Sequence, residues 1–425
     1  MNTTPAATDP ATGSMASSPA SRAAPFDPEQ GLLPGNPEYR RAGSALFLVG
    51  FATFALVYCV QPLLPEFAHS FGITPASSSL ALSLTTGTLA ISIVLSSAFS
   101  QALGRRGMMF VSLIAASLLN IVAAILPSWY GLLLARTLEG LALGGVPAIA
   151  MAWLAEEIHP TQLGRSMGLY VAGTAFGGMV GRVGMALITE VASWQVAMAG
   201  LGLVCLLCSL GFWRLLPPSR HFTPTPGIQL RFHLRTWWRH LKNPSLLRIY
   251  AIGFLLMSVF VALFNYSTFR LSEAPYLLSQ TALALIFLVY GFGIVSSSTA
   301  GALADRYGKP RLLVCSILIM LIGILTTLSG SVVLIVAGIA LLTIGFFASH
   351  SVASSSVGPA CDGDKGHAAS LYLLFYYLGS SVIGSAGGWF WQHGGWPSVV
   401  AMAVTLTGGG LLLAALGLKT KRRST

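Results

Sequence analysis

Long apolar runs recur along the chain from Ser44 to Leu418, separated by short stretches where Gly, Pro, Ser and basic residues gather. Runs such as Leu312–Leu328 are continuous, with none of the short alternating segments of a membrane barrel. A helix of about 20 apolar residues crosses the ~30 Å hydrocarbon core. Inside lipid the backbone must satisfy its own hydrogen bonds, so these runs predict spanning helices. Twelve are expected: 44–64, 79–101, 108–127, 131–155, 165–189 and 194–214, then 246–268, 281–303, 311–329, 331–355, 367–389 and 396–418. The expected fold is an all-α membrane protein of two six-helix bundles, 44–214 and 246–418, joined by a linker over 215–245. Residues 1–43 and 419–425 are expected to be tails. The first is rich in Ala, Thr, Ser and Pro without hydrophobic period, which reads as disorder. It also lacks the early apolar stretch of a secretory signal.

Composition agrees: 54% of residues are hydrophobic and 9% charged, against about 25% charged in soluble domains. The net charge of +11 changes the picture only through its distribution. Of the 24 Lys and Arg, all except Arg136, Arg182 and Arg270 fall in loops or tails on the side of the N-terminus. Basic loops stay cytoplasmic, so both termini are expected in the cytoplasm of a bacterial inner-membrane protein, and nucleic acid is not an expected partner. The linker carries Leu234, Trp237, Trp238 and Leu241 at helical spacing beside a stripe of Arg231, Arg235, Arg239 and Lys242. Such a helix is expected to lie in the membrane interface. Cys205 and Cys208 form a C-x-x-C inside an apolar run with no second pair, and read as packing residues.

The halves repeat at a separation of 202–204 residues. Gly104-Arg105-Arg106 aligns with Gly308-Lys309-Pro310, Leu169-Tyr170 with Leu371-Tyr372, and Trp194 with Trp396. Parallel six-span halves suit two bundles that rock about a site at the membrane midplane.

The string Gly301-Ala-Leu-Ala-Asp305-Arg306-Tyr-Gly308-Lys309-Pro-Arg311 resembles the loop signature of the major facilitator superfamily, and stands where that family carries its second copy. The first-half copy is degenerate, with Ser97 and Gln101 replacing the family's Gly and Asp ahead of Gly104, Arg105 and Arg106. Three further strings resemble the twelve-span drug:proton antiporter branch: Gln61-Pro-Leu-Leu-Pro65, Arg136-Thr-Leu-Glu139-Gly140, and Gly173-Thr-Ala-Phe-Gly177-Gly178-Met-Val-Gly181-Arg182. In the last, Gly178 and Arg182 replace the branch's Pro and final Gly. Longer runs in the fourth and eleventh spans are similar to YnfM-type inner-membrane transport proteins. The resemblance implies a major facilitator fold and proton-coupled export of a small molecule. It also implies loop residues that gate the cycle, with Asp305 expected to latch near Gly164 and Arg165.

Ionisable residues at bilayer depth cost about 2.5–3.5 kcal/mol or more and are functional candidates by default. At the helical rise, Arg136, Glu139 and Arg182 lie ~8, ~12 and ~10 Å from the outer end of their spans. Grouped at one depth, they leave a surplus of one positive charge, suited to an anionic substrate or to a proton competing at Glu139; a purely structural ion cluster between the fourth and fifth spans is the other reading. His350 in the tenth span is a candidate proton relay or substrate donor, or equally a hydrogen-bonded packing residue beside the Ser-rich stretch Ser351–Ser356. Tyr58, Gln61, Asn265, Tyr266, Tyr372, Tyr376 and Tyr377 offer aromatic and amide contacts, and Arg270 with Glu273 is expected to form a rim pair.

No nucleophile–base set, H-E-x-x-H, nucleotide loop or paired intramembrane Asp occurs, so an enzyme, a cofactor or a metal is not expected. Two transport readings remain open. The first is proton-driven efflux of a small organic compound; the second is an importer or facilitator of an organic anion. The expected partners are the substrate, protons and the bilayer, with a monomer sufficient.

Overall fold

The computed structural model describes residues 26–27, 31–220, 230–361 and 364–422, with the side chains of 26–27, 97–103, 230, 305 and 418–422 outside that description. Among the described residues, eleven helical runs are long and apolar enough to cross a membrane: Pro37–Phe71, Pro75–Ser96, Arg105–Ile125, Trp129–Glu157, Pro160–Val191, Trp194–Leu215, Pro244–Ser272, Gln280–Ala304, Lys309–Thr326, Val332–Ala360 and Lys365–Gly417. The last is broken at Gly395, whose φ of 58° and ψ of −154° leave the helical region. Its arms, 365–394 and 396–422, are spans 11 and 12, so twelve spans stand in chain order.

The expected first tail is too long. Span 1 begins at Pro37, because Asn36 accepts a hydrogen bond from the Glu38 N–H at 2.8 Å and Pro37 fills the first helical position. Just before it, Leu32 bridges to Ile158 at the end of span 4. In the linker helix Leu230–Leu241 the Leu and Trp stripe divides between two sides. The helix buries His233, Thr236, Trp237 and His240 against the second half, while Leu234 and Trp238 face outward beside the exposed basic residues.

Glycine spacing sets how the spans meet. A Cβ at Gly177 would lie 2.2 Å from the Phe51 carbonyl oxygen, so spans 5 and 1 touch backbone to backbone. The equivalent contact, Gly379 against Phe254, repeats the same 2.2 Å between spans 11 and 7. Gly104 and Gly308 turn the chain at matching places with φ of 81° and 87°, a region glycine enters without steric penalty.

Each bundle starts and ends at one face. Arg41 donates to the Arg214 carbonyl at 3.0 Å, and Arg106 donates to the Trp213 carbonyl. The Arg248 guanidinium lies beside Gly417. The loop arginines and lysines therefore collect at one basic end. Contacts between the halves gather at the opposite, far end. There Gln61 donates to Asn265, Ser381 donates to the Ser83 carbonyl at 2.6 Å, and Glu190 accepts from the Thr281 N–H at 2.9 Å.

Candidate functional site

Span 1 is interrupted where the site begins. Pro62 and Pro65 cannot donate backbone hydrogen bonds, so the helix Pro37–Tyr58 stops, turns through Gln61–Leu63 and resumes at Leu64. The interruption leaves end carbonyls that need donors. Arg136 supplies them: it donates to the carbonyls of Leu56 at 3.1 Å, Val57 at 2.9 Å and Ala81 at 3.3 Å, and to Glu139 Oε2 at 2.6 Å. Arg136 and Glu139 are both 0% exposed. Arg136 thus fastens span 4 to spans 1 and 2, at a helix C-terminus where a cation is favoured. Span 4 comes close enough because Gly140 and Gly144 lie against span 2 at Thr85 and Ser92.

Arg182 points elsewhere. The Gly173–Gly177–Gly181 stripe lays span 5 on span 1, and the next side chain, Arg182, meets the interruption from the other side. Its Nε donates to Gln61 Oε1 at 2.6 Å and its Nη1 to the Gly178 carbonyl at 2.6 Å. Its guanidinium stands 4.2 Å from the Tyr58 ring centre and 4.7 Å from that of Tyr290. It is 2% exposed, and among the described residues no carboxylate pairs with it. Gln61 in turn donates to Asn265 Oδ1 at 2.7 Å, so a hydrogen-bonded chain runs from Arg182 across to the second half.

Arg182 forms part of the wall of a cavity of about 480 Å³ between the halves. Phe54, Tyr58, Met151 and Gly178 line it from the first half, and Phe260, Tyr290, Phe346, His350, Tyr376 and Tyr377 from the second. It continues past Met167 and Gly168, toward the basic end of span 5, while the inter-half contacts close the far end. The Nδ1 atom of His350 lies 2.9 Å from the Tyr372 hydroxyl, and its ring packs on Tyr376 at 4.5 Å between centres.

The residues singled out in the sequence therefore divide. Arg182, His350, Tyr58 and Tyr376 line the cavity; Gln61 and Asn265 bridge its far end; Tyr372 backs His350. Arg136 and Glu139 do not line it, and the expected single cluster of three charges is two separate sites. Tyr266 donates to the Gly384 carbonyl within the second half. Arg270 takes no part in a pair with Glu273 and instead caps span 9, donating to the carbonyls of Thr327 and, at 2.8 Å, Ser329.

Arg105 pairs with Glu156 (Nε to Oε2 2.6 Å), Arg106 stacks on Trp213, and Lys309 donates to the Ser355 carbonyl at 2.8 Å, all within their own halves. Arg306 lies over Tyr307, and a Cβ at Gly301 would meet nothing within 4 Å. The Asp305 side chain, and with it the expected latch, lies outside the described residues. Tyr290, Phe260 and Phe346 also line the cavity, but aromatic residues are common in spans and nothing in the sequence marks which of them face across to the other half.

Two six-span bundles closed over one end of a shared central cavity have the architecture of a membrane carrier. The Major Facilitator Superfamily model matches residues 46–278 and 271–425. The chain is 45% identical over 368 residues to the uncharacterized MFS-type transporter YybF of Bacillus subtilis, covering 87% of this chain and 91% of that one. It is 43% identical over 399 residues to the inner membrane transport protein YnfM of Escherichia coli, covering 93% and 94%. A bacterial homolog of the human lysosomal transporter Spinster, solved inward-facing and occupied, superposes with a TM-score of 0.71 at 14% identity, covering 91% of this chain and 98% of that one. The chain belongs to the Major Facilitator Superfamily. It is a multi-pass secondary transporter of a small molecule and not an enzyme.

Proposed function

We propose that the chain carries an amphipathic organic anion together with a proton, across a bacterial inner membrane with both termini cytoplasmic. The observation that carries this reading is Arg182: a buried guanidinium on the cavity wall, held by one amide, one carbonyl and three aromatic rings, with no carboxylate partner among the described residues. A buried charge left unpaired is costly, and a carboxylate or similar group on the substrate would supply the partner. Phe54, Met151, Phe260 and Phe346 offer apolar surface for the rest of the molecule. His350 borders the same cavity. A proton on its imidazole would add a second positive charge, so proton and anion would favour each other's binding, and linkage makes that reciprocal. Mutual strengthening supports movement of both in the same direction. The closed far end and the cavity's reach toward the basic end support an inward-facing arrangement.

Proton-coupled efflux is a second reading. Glu139 favours it, since its buried Oε1 has no hydrogen-bond partner among the described residues and a proton there would compete with Arg136. Membrane vesicles separate the two. With an acid exterior, right-side-out vesicles are expected to accumulate members of a panel of labelled aromatic and branched carboxylates, and an uncoupler is expected to stop them. Accumulation only in everted vesicles with an acid lumen would establish efflux instead.

A further inference from the structure

A second cavity, of about 940 Å³, lies at the basic end of the second half and shares no lining residue with the central one. Four cations line it: Arg239 and Lys242 from the end of the linker helix, Arg248 from the start of span 7, and Lys309 from the start of span 9. No Asp or Glu lines it, and among the described residues none of the four cations is in an ion pair. Lys309 reaches only a carbonyl, and Lys242 lies over the Trp238 ring at 5.2 Å. Spans 7 and 9 both begin at this wall, so their N-terminal partial charges add to the same sign. The floor is of the opposite character, formed by Ile249, Ile252, Leu313, Val352 and Leu413.

From this juxtaposition of a cationic rim and an apolar floor, we infer that the cavity holds the headgroup and glycerol region of an anionic bilayer phospholipid. A soluble phosphate would satisfy the rim and leave the floor uncovered; a phospholipid covers both. The volume is at the upper end of the roughly 300–1,000 Å³ typical of small-ligand sites, which suits a headgroup with the first part of its chains. The level is right as well. The linker helix exposes Phe232, Leu234 and Trp238, at 51%, 53% and 61%, next to this rim. Apolar and Trp side chains left outward on a basic helix mark the depth of the membrane interface. Basic recesses between spans on the cytoplasmic side are places where anionic headgroups settle. A lipid held here touches the linker, span 7, span 9 and span 12 at once, and so fastens the linker to the second bundle.

The test uses the full chain purified in a neutral detergent, with thermal unfolding followed as phosphatidylglycerol, phosphatidylcholine or inorganic phosphate is added. Phosphatidylglycerol is expected to raise Tm saturably, with phosphatidylcholine and inorganic phosphate giving no saturable rise. Arg248→Gln with Lys309→Gln is expected to raise the half-saturating concentration at least tenfold. Arg231→Gln with Arg235→Gln removes as much charge from the exposed side of the linker helix and is expected to change it less than twofold. Should the first pair not yield folded protein, Arg239→Gln with Lys242→Gln, both exposed, carries the same expectation. An equal rise with phosphatidylcholine overturns the charge recognition, and an equal rise with inorganic phosphate overturns the lipid assignment. Equal losses in both variant pairs reduce the effect to general surface charge and overturn the site.

Discussion

Arg136 and Arg182 stand on either side of the same interruption in span 1, both buried, yet they do opposite things. Arg136 is saturated: three carbonyls and Glu139 take its donors, and the assembly closes on itself inside the first bundle. Arg182 is left short of a counter-charge and lines the space between the bundles. Burial and charge alone do not distinguish a structural arginine from a binding one. The count of acceptors, and the surface that the helix face meets, do.

The largest effect should come from breaking the saturated site. Arg136→Leu leaves Glu139 buried and unpaired, which is expected to destabilise the protein by about 3–5 kcal/mol, read as loss of a monodisperse peak after detergent extraction. Arg136→Met with Glu139→Leu removes both charges and should recover the part of that loss due to the unpaired Glu139, while the three carbonyls stay without their donor. If the double variant folds no better than the single one, the pair is not the fastening described.

Arg182→Gln should sharpen the contrast from the other side. Its Tm is expected to stay within a few degrees of wild type while proton-driven uptake falls at least tenfold. Arg182→Lys should not restore uptake, because a compact ammonium cannot reproduce the planar stacking between Tyr58 and Tyr290.

A smaller effect is expected at the bridge. Asn265→Leu removes the acceptor for Gln61, a buried bond worth about 1 kcal/mol, and should ease opening of the far end. A cysteine placed at Ser83 should then react severalfold faster with a membrane-impermeant thiol reagent added from that side. An unchanged rate would show that the bridge does not help close it.

The smallest effect concerns pH at the linker. His233 Nδ1 lies 2.7 Å from His367 Nε2, and His367 Nδ1 lies 2.8 Å from Asp364 Oδ2. Burial and the adjacent His367 pull the His233 imidazole below its ordinary pKa. Burial would raise Asp364, but His367 and the backbone N–H groups of Gly366 and His367 hold it below the usual carboxylate value. Both shifts have one sign: docking of the linker is fully present above pH ~6.5 and is lost as the pH falls and His233 must take a proton. Trp237 fluorescence should report the loosening between pH 7 and 5, and His233→Gln should flatten that response.

Much of the fold was legible because membrane spans announce themselves by length and hydropathy, and the basic loops set one end. The Asn36-Pro37 start was equally available, but the polar composition around it outweighed a two-residue signal. Depth was legible too: the rise per residue placed Arg136, Glu139 and Arg182 at similar levels. Azimuth was not. Whether a side chain at that depth faces its own bundle or the other one depends on which helix faces meet, and Gly177 against Phe51 settles that only in three dimensions. The side of the linker helix that packs inward was illegible for a related reason. Its Leu and Trp suggest one apolar face, whereas His233 and His240 share the buried side with Trp237 because they meet His367 and the Asp364 carbonyl at the start of span 11.

The central claim is that the unpaired charge of Arg182 holds the acidic group of the substrate. Calorimetric titration of the purified protein with a transported carboxylate and with its carboxamide tests it most directly, in wild type, in Arg182→Gln and in Arg136→Met with Glu139→Leu. Saturable binding of the carboxylate alone is predicted for wild type and for the double variant, and no binding of either for Arg182→Gln. Equal affinity for acid and amide in wild type, or undiminished carboxylate binding in Arg182→Gln, would contradict it.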